Sequence, residues 1–465
     1  MSLRKQKIIR GFIILLLGFP LTACSLAQQP AAHLPEDVLD TKVPTAIQTQ
    51  PADEETSLPA IITENSAIAE TISTPAPPEP GISPLAIAFV SPELNAYYWN
   101  ESLSSAVLLT TTGDIQETIV SPDGSQVLLI RSGDWVNYQV DLINADGTGL
   151  RTLLTPADFD LLPRPEGSLS TVPAHIAWIP RSNQIAMTTQ SYFEGPGSQT
   201  GQHLYIIDPD SGRMSALLSI PEVWRWDFTY SPDGSKLLIS KPEGVDLYSR
   251  DGNLLYQDLI TYPFVNTASD YAWIANPSWS MDGTSVIIVV PPQEPWEIPM
   301  AESSIWYWNE NLPAAKLIGE EVMRYQATGL ASTSPDLAKV LYLAPTGTDE
   351  APTVTLKLFD MVEMSATNIA EGEIYTLPSW STDGSQFYYH DQSSGSYIVA
   401  VDGAAIRLAD FSNANTAVWV DESRLVGASG PEGGWRLLLG GSGITTQVIY
   451  SSGLTDNPIR FSVNR

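Results

Sequence analysis

Asp123, Asp233, Asp282 and Asp383 share one setting: each stands two residues after a serine and directly before a glycine, Gly124, Gly234, Gly283 and Gly384. Two carboxylates flanking a sugar can hydrolyse a glycosidic bond. One active site has no use for the same group on four separate segments, whereas one turn type does, because aspartate accepts from nearby backbone amides and glycine supplies a left-handed residue. These eight residues therefore read as structural turns. The chain has 4 histidines, and His175, His203 and His390 fall in different segments, which disfavours convergence on one metal ion. Asp208-Pro209-Asp210-Ser211-Gly212 offers two carboxylates in a hairpin too short to wrap a calcium ion. Neither a Gly-x-Ser-x-Gly elbow nor a His-Glu-x-x-His motif occurs. No catalytic residue, metal or cofactor is expected on these grounds.

The elements that carry the aspartates form a repeat. Val120-Ser121-Pro122-Asp123-Gly124-Ser125-Gln126-Val127 returns as Tyr230-Ser231-Pro232-Asp233-Gly234-Ser235-Lys236-Leu237, as Trp279-Ser280-Met281-Asp282-Gly283-Thr284 and as Trp380-Ser381-Thr382-Asp383-Gly384-Ser385. Looser copies are Ser334-Pro335-Asp336-Leu337, Trp178-Ile179-Pro180-Arg181-Ser182 and Trp419-Val420-Asp421-Glu422-Ser423. Each reads as strand, tight turn, strand. A second hairpin class follows at Asn144-Ala145-Asp146-Gly147, Asp208–Gly212, Arg250-Asp251-Gly252 and Asp402-Gly403. Two hairpins per unit make four strands per unit, and four-stranded units spaced about 50 residues apart are blades of a β-propeller.

The repeat resembles the TolB-type, WD-like propeller blade, with its Ser-Pro-Asp-Gly turn followed by an Asn-Ala-Asp-Gly hairpin, and 121–155 carries the resemblance best. It implies an all-β fold over residues 81–465. The markers predict eight blades, with seven as the alternative. Three strand-like runs before the first marker, 85–90, 96–99 and 106–110, and one after the last blade, 458–463, would build the closing blade from both ends of the domain. The hydrolase domain that accompanies propellers of the prolyl oligopeptidase family is not matched, nor is TolB's own N-terminal domain.

In a meandering blade the A–B and C–D turns share one face, and the B–C loops and D-to-A connections share the other. The Asp-Gly turns occupy the first face. The insertions 155–174, 190–202, 219–227, 261–272 and 291–303 all fall on the second. Long loops on a rigid scaffold are where binding concentrates. Tyr192, Phe193, Trp224, Arg225, Trp226, Tyr271 and Trp296 are the candidate binding face, because aromatic and arginine anchors dominate recognition surfaces. Phe159, Tyr262 and Phe264 lie in the same loops.

Residues 1–23 carry Arg4, Lys5, Lys7 and Arg10 ahead of an apolar run and end at Leu21-Thr22-Ala23-Cys24. The order is that of a secretory signal, and the cysteine resembles a bacterial lipobox, which implies lipidation of Cys24 and anchoring by acyl chains. Residues 24–80 are expected to be a disordered tether: beyond the cysteine they hold nine prolines and nine acidic residues with no glycine or aromatic residue. Such a segment cannot bury enough apolar area to offset its chain entropy.

The net charge of −30 repels nucleic acid. Without residues 1–23 the balance is 19 basic against 53 acidic, or −34. The chain is therefore expected to be an extracytoplasmic, lipid-anchored, monomeric propeller that binds a protein, peptide or glycan through its long-loop face without catalysis. The alternative is a polysaccharide-active lyase or hydrolase on the same fold. Three or more carboxylates or histidines converging at the channel mouth would favour that alternative.

Overall fold

Each Ser-x-Asp-Gly turn joins two strands in the same way. Ser381 Oγ donates to Asp383 Oδ1 at 2.7 Å, the Ser385 amide donates to the same oxygen at 3.0 Å, and the Gln386 amide donates back to Ser381 Oγ at 3.1 Å. The Asp123, Asp233, Asp282 and Asp336 turns repeat this set, with serine-to-aspartate distances of 2.5–2.6 Å. Glycine is required on two counts at Gly234: φ is +69°, and a Cβ there would stand 2.1 Å from the Pro180 carbonyl of the neighbouring blade. The aspartates and glycines of the motif are thus the turn residues expected of them.

The computed structural model describes residues 84–464 apart from 135, 195–196, 221–224, 266–272, 296–299, 325–328, 347–352, 432 and 454–456. These residues form eight antiparallel sheets in a ring, so the eight-blade expectation holds and the seven-blade alternative does not. We number the blades in chain order from the first complete one. Six blades are meanders of four consecutive strands, and blade 2 adds a short fifth strand, Ser198–Thr200, beside Ile185–Tyr192. Blade 8 pairs Arg460–Val463 with Ala86–Val90, followed by Ala96–Asn100 and Val107–Leu108. Asn464 pins this closure by accepting from the Ala86 amide at 2.7 Å and donating to the Pro84 carbonyl at 3.0 Å.

The innermost strands are Ile115–Val120, Ser170–Trp178, Asp227–Tyr230, Asn276–Trp279, Ala331–Thr333, Ser379–Trp380, Thr416–Trp419 and Arg460–Val463. Their tryptophans bolt the ring together. The Nε1–H groups of Trp178, Trp279, Trp380 and Trp419 donate to carbonyls on the preceding blade's innermost strand: Ile119 at 3.4 Å, Thr229 at 3.2 Å, Ser332 at 3.0 Å and Ser379 at 2.8 Å. Between blades, apolar sheet faces pack into buried clusters such as Leu128, Leu142, Ile176, Ile185 and Ile207. A buried indole that satisfies its own donor adds direction to non-directional burial, so the bolts fix how each blade sits on the last.

Candidate functional site

Two of the long insertions contain regular structure. Residues 155–174 contain a short helix, Pro156–Asp160, capped by Thr155, and then run into the innermost strand Ser170–Trp178. Residues 190–202 extend the Ile185–Tyr192 strand into a hairpin. This ordering removes several aromatics from the surface. Trp226 is only 2% exposed, and its indole N–H donates to the Gly201 carbonyl at 2.8 Å, so it packs between blades instead of standing on the binding face. Phe159 is buried beneath the helix, and Tyr262 is buried with its hydroxyl on the Lys241 carbonyl. Tyr192 and Phe193 are half-buried on the blade 2 hairpin, Arg225 is half-buried beside Asp227, and Phe264 is exposed. Trp224, Tyr271 and Trp296 lie outside the described residues, as do Cys24 and the whole of 1–83.

At the mouth below these insertions the structure gathers residues that were not on the candidate list. Arg460 and Asp227 begin the innermost strands of blades 8 and 3, and Glu117 and His175 lie on those of blades 1 and 2. The connecting D-to-A segments enter at these ends, so the four residues form an arc across four consecutive blades on the long-loop side. His175 Nδ1 and Asp227 Oδ1 are 2.6 Å apart, and the imidazole stacks on Phe228 with centroids 4.3 Å apart and planes at 20°. The Phe228 amide fixes the Asp227 carboxylate at 2.8 Å, and the His175 amide donates to Thr188 Oγ1 at 3.2 Å. The pair is therefore held in position by its own backbone neighbours.

Backbone irregularity aims two of the four. Among the pairs of innermost and second strands, register shifts occur only between Ile115 and Glu117 and between Pro173 and Ile176. A bulge re-aims the side chains beside it, and these two stand at Glu117 and His175.

The electrostatics differ from those of surface groups. All four side chains are at least partly exposed, yet the surrounding blade walls strip part of the hydration of Glu117, His175 and Arg460. That loss raises the Glu117 carboxyl above the usual carboxylate range against the pull of His175 and Arg460. It also lowers Arg460, against the attraction of Glu117 and Tyr138. His175 loses hydration too, but the hydrogen bond and charge of Asp227, joined by Glu117, outweigh the loss and raise its imidazole. The arc thus sets two basic side chains, Arg460 and His175, beside two carboxyls, Asp227 and Glu117.

Among the described residues no group of three or more histidines, cysteines or acids is placed to hold a metal ion. His203, expected in a different segment from His175, shares blade 2 with it and contacts the Leu218 carbonyl at 3.4 Å, and His390 is buried in blade 6 with Nδ1 3.0 Å from Ser396 Oγ.

No family model and no curated protein sequence matches the chain. Solved structures do resemble it. TolB from Acinetobacter baumannii is 13% identical, with 62% of this chain covered and a TM-score of 0.35, and the match spans 63% of that protein's length. An oligogalacturonate lyase in complex with manganese is 13% identical over 68% of this chain and 84% of its own, with a TM-score of 0.43. Apo AztD from Citrobacter koseri is 10% identical over 82% of this chain and 98% of its own, with a TM-score of 0.43. These neighbours are enzyme and non-enzyme alike. What they share with this chain is the TolB-like propeller fold.

Proposed function

We propose that the chain is an extracytoplasmic, lipid-anchored recognition propeller that receives a protein, peptide or glycan partner at the long-loop mouth of its channel and releases it unchanged. The observation that carries this reading is the arc of Arg460, Glu117, His175 and Asp227 beneath the insertions of blades 1 to 4. Charges of both signs are held at non-equivalent strand positions, two of them by backbone bulges that the fold does not otherwise need. Such a mouth suits a polar partner read by hydrogen bonds and charge.

The test is a peptide and glycan array probed with the full chain in detergent, wild type against Arg460→Gln and His175→Ala. Loss of at least tenfold in affinity is expected for both variants, on the order of one buried charged hydrogen bond each. An unchanged ligand set would overturn the reading. Labelling with a radioactive fatty acid checks the anchor: label present in the wild type should vanish in Cys24→Ser.

A second reading has the arc itself in its favour, since Glu117, His175 and Asp227 are two carboxyls and a histidine converging at the mouth, the arrangement expected of a polysaccharide-active enzyme. His175 oriented by Asp227, with a carboxyl of raised pKa nearby, is the composition of a general base and a general acid. Turnover of array glycans that disappears in His175→Ala would establish that reading in place of the first.

A further inference from the structure

The opposite face, with its short turns, carries a groove that the proposed function does not use. The turns Ser280–Gly283, Ser334–Leu337 and Ser381–Gly384 of blades 4, 5 and 6 border an open cavity of about 620 Å³. The motif departs from its own pattern here. Met281 occupies the proline position and is 63% exposed, and Leu337 occupies the glycine position. Met361 and the ring of Tyr307 complete the apolar wall. A long thioether on a tight turn that proline would serve is not explained by folding, and methionine surfaces adapt to varied partners.

The charged part of the lining is acidic, with Asp282, Asp336 and Asp383 and no lysine or arginine, beside the neutral Ser280, Ser285 and Thr382. Each spends Oδ1 on its own turn, and none forms an ion pair among the described residues. The equivalent Asp123 and Asp233, which do not line the groove, also engage Oδ2, through Ser125 and Ser235. At the groove the second oxygen has no such partner among the described residues. Turn hydrogen bonds hold Asp282 low, and at Asp383 they outweigh burial to the same end, so both stay anionic at neutral pH.

We propose that this groove docks a basic peptide segment of a partner protein, seating a lysine or arginine whose apolar stem lies on Met281, Leu337 and Met361 and whose cation meets the free oxygens of Asp282, Asp336 and Asp383. Apolar wall and anionic rim together fit such a side chain, which buries its stem while its head keeps polar contacts.

The test is fluorescence anisotropy with the full chain and a labelled octapeptide carrying Leu-Arg-Leu-Lys, beside the same peptide with citrulline and norleucine in place of the basic residues. The basic peptide should bind at least tenfold tighter than the neutral one. Met281→Pro, which restores the motif's own proline and keeps the turn, and the double variant Asp282→Asn with Asp383→Asn, which keeps the Oδ1 acceptors, should each weaken it by about fivefold or more. His175→Ala on the other face and Asp146→Asn on a distant hairpin should leave it unchanged. Equal binding of both peptides, wild-type binding by the groove variants, or equal weakening by Asp146→Asn, the mark of unspecific attraction to an acidic chain, would each overturn the proposal. Self-association at the groove, seen by sedimentation of wild type but not of Met281→Pro, would overturn it in favour of a second copy as occupant.

Discussion

The two ends of the propeller are built on opposite economies. On the short-turn face one local solution is reused: Ser121, Ser231, Ser280, Ser334 and Ser381 each donate to the aspartate two residues on. At the long-loop mouth each group occurs once. Glu117, His175, Asp227 and Arg460 come from four blades and from different positions along their strands. Repetition serves the fold, because every blade faces the same closure problem, whereas residues that break the repeat answer something the fold does not ask. By that criterion the mouth is where the proposed function sits, and the groove beside Met281 is where a break in the repeating face also lines a cavity.

The contrast depends on a frame that both ends share, and the largest predicted effect lies there. Trp419 is fully buried, and its indole ties blade 7 to blade 6. Trp419→Ala should cost about 3–5 kcal/mol, the usual range for deleting a buried tryptophan. Trp419→Phe keeps most of the apolar contact and leaves the Ser379 carbonyl without this donor, so about 1–2 kcal/mol is expected. Urea unfolding measures both. Wild-type stability of Trp419→Phe would show that the bolt contributes by packing alone.

Next in size is the difference between the ends themselves. Asp383→Ala on the short-turn face should lower stability by about 1 kcal/mol at neutral pH through loss of the turn hydrogen bonds, and leave binding at the mouth unchanged. Asp227→Asn at the mouth should weaken binding there and cost less stability. The pH dependences also run in opposite senses. Asp383 has a depressed carboxyl, so its contribution is present above the ordinary carboxylate pKa and is lost as pH falls through the folded value. His175 has a raised imidazole, so its contribution is complete below the ordinary imidazole pKa and is lost as pH rises through the folded value. The stability gap between wild type and Asp383→Ala should therefore close in acid, and the gap between wild type and Asp227→Asn should close in mild alkali. Because His175 and Asp227 are 42% and 52% exposed, the second gap is the smaller one. Proton NMR of the His175 ring should show its pKa falling in Asp227→Asn.

The repeating end was legible in the sequence because its causes are local. A serine, an aspartate and a glycine within four residues determine a turn, and their spacing set the blade count and even the two-ended closure through Arg460–Val463. The arc was not legible, because it depends on which blades become neighbours and on single-residue bulges that shift side-chain direction. His175, weighed from sequence only as a metal ligand, meets Asp227 on the next blade. A signal was nonetheless present, since Glu117 and His175 interrupt runs that otherwise read as strand. Trp226 illustrates the converse error. A tryptophan in a long connection reads as an exposed anchor, yet the connection folds inward and the Gly201 carbonyl satisfies its donor. The bolting role of Trp178, Trp279, Trp380 and Trp419 was likewise hidden, although the Trp-Ser pairs of the repeat placed two of them beside the turn.

The smallest predicted effect probes the rule that departures from the repeat mark function. Blade 2 departs from it at Pro180-Arg181-Ser182, where the Ser182 amide donates to the Ile179 carbonyl at 3.2 Å and Arg181 adopts φ +53°. A left-handed L-residue costs about 1–2 kcal/mol, and Arg181 is exposed. Glycine is the residue such a position after proline favours. Arg181→Gly should remove that strain while adding about 0.5–1 kcal/mol of backbone entropy to the unfolded chain, leaving a net gain of about 0.5–1 kcal/mol by the difference of the two. Chemical denaturation measures it. If the variant is more stable and binds both partners as before, this departure is drift that the ring tolerates, and a broken repeat marks function only where it also builds a cavity or a charged arc. If stability rises but peptide binding on this face falls, the strained arginine extends the Met281 groove from blades 4 to 6 around to blade 2.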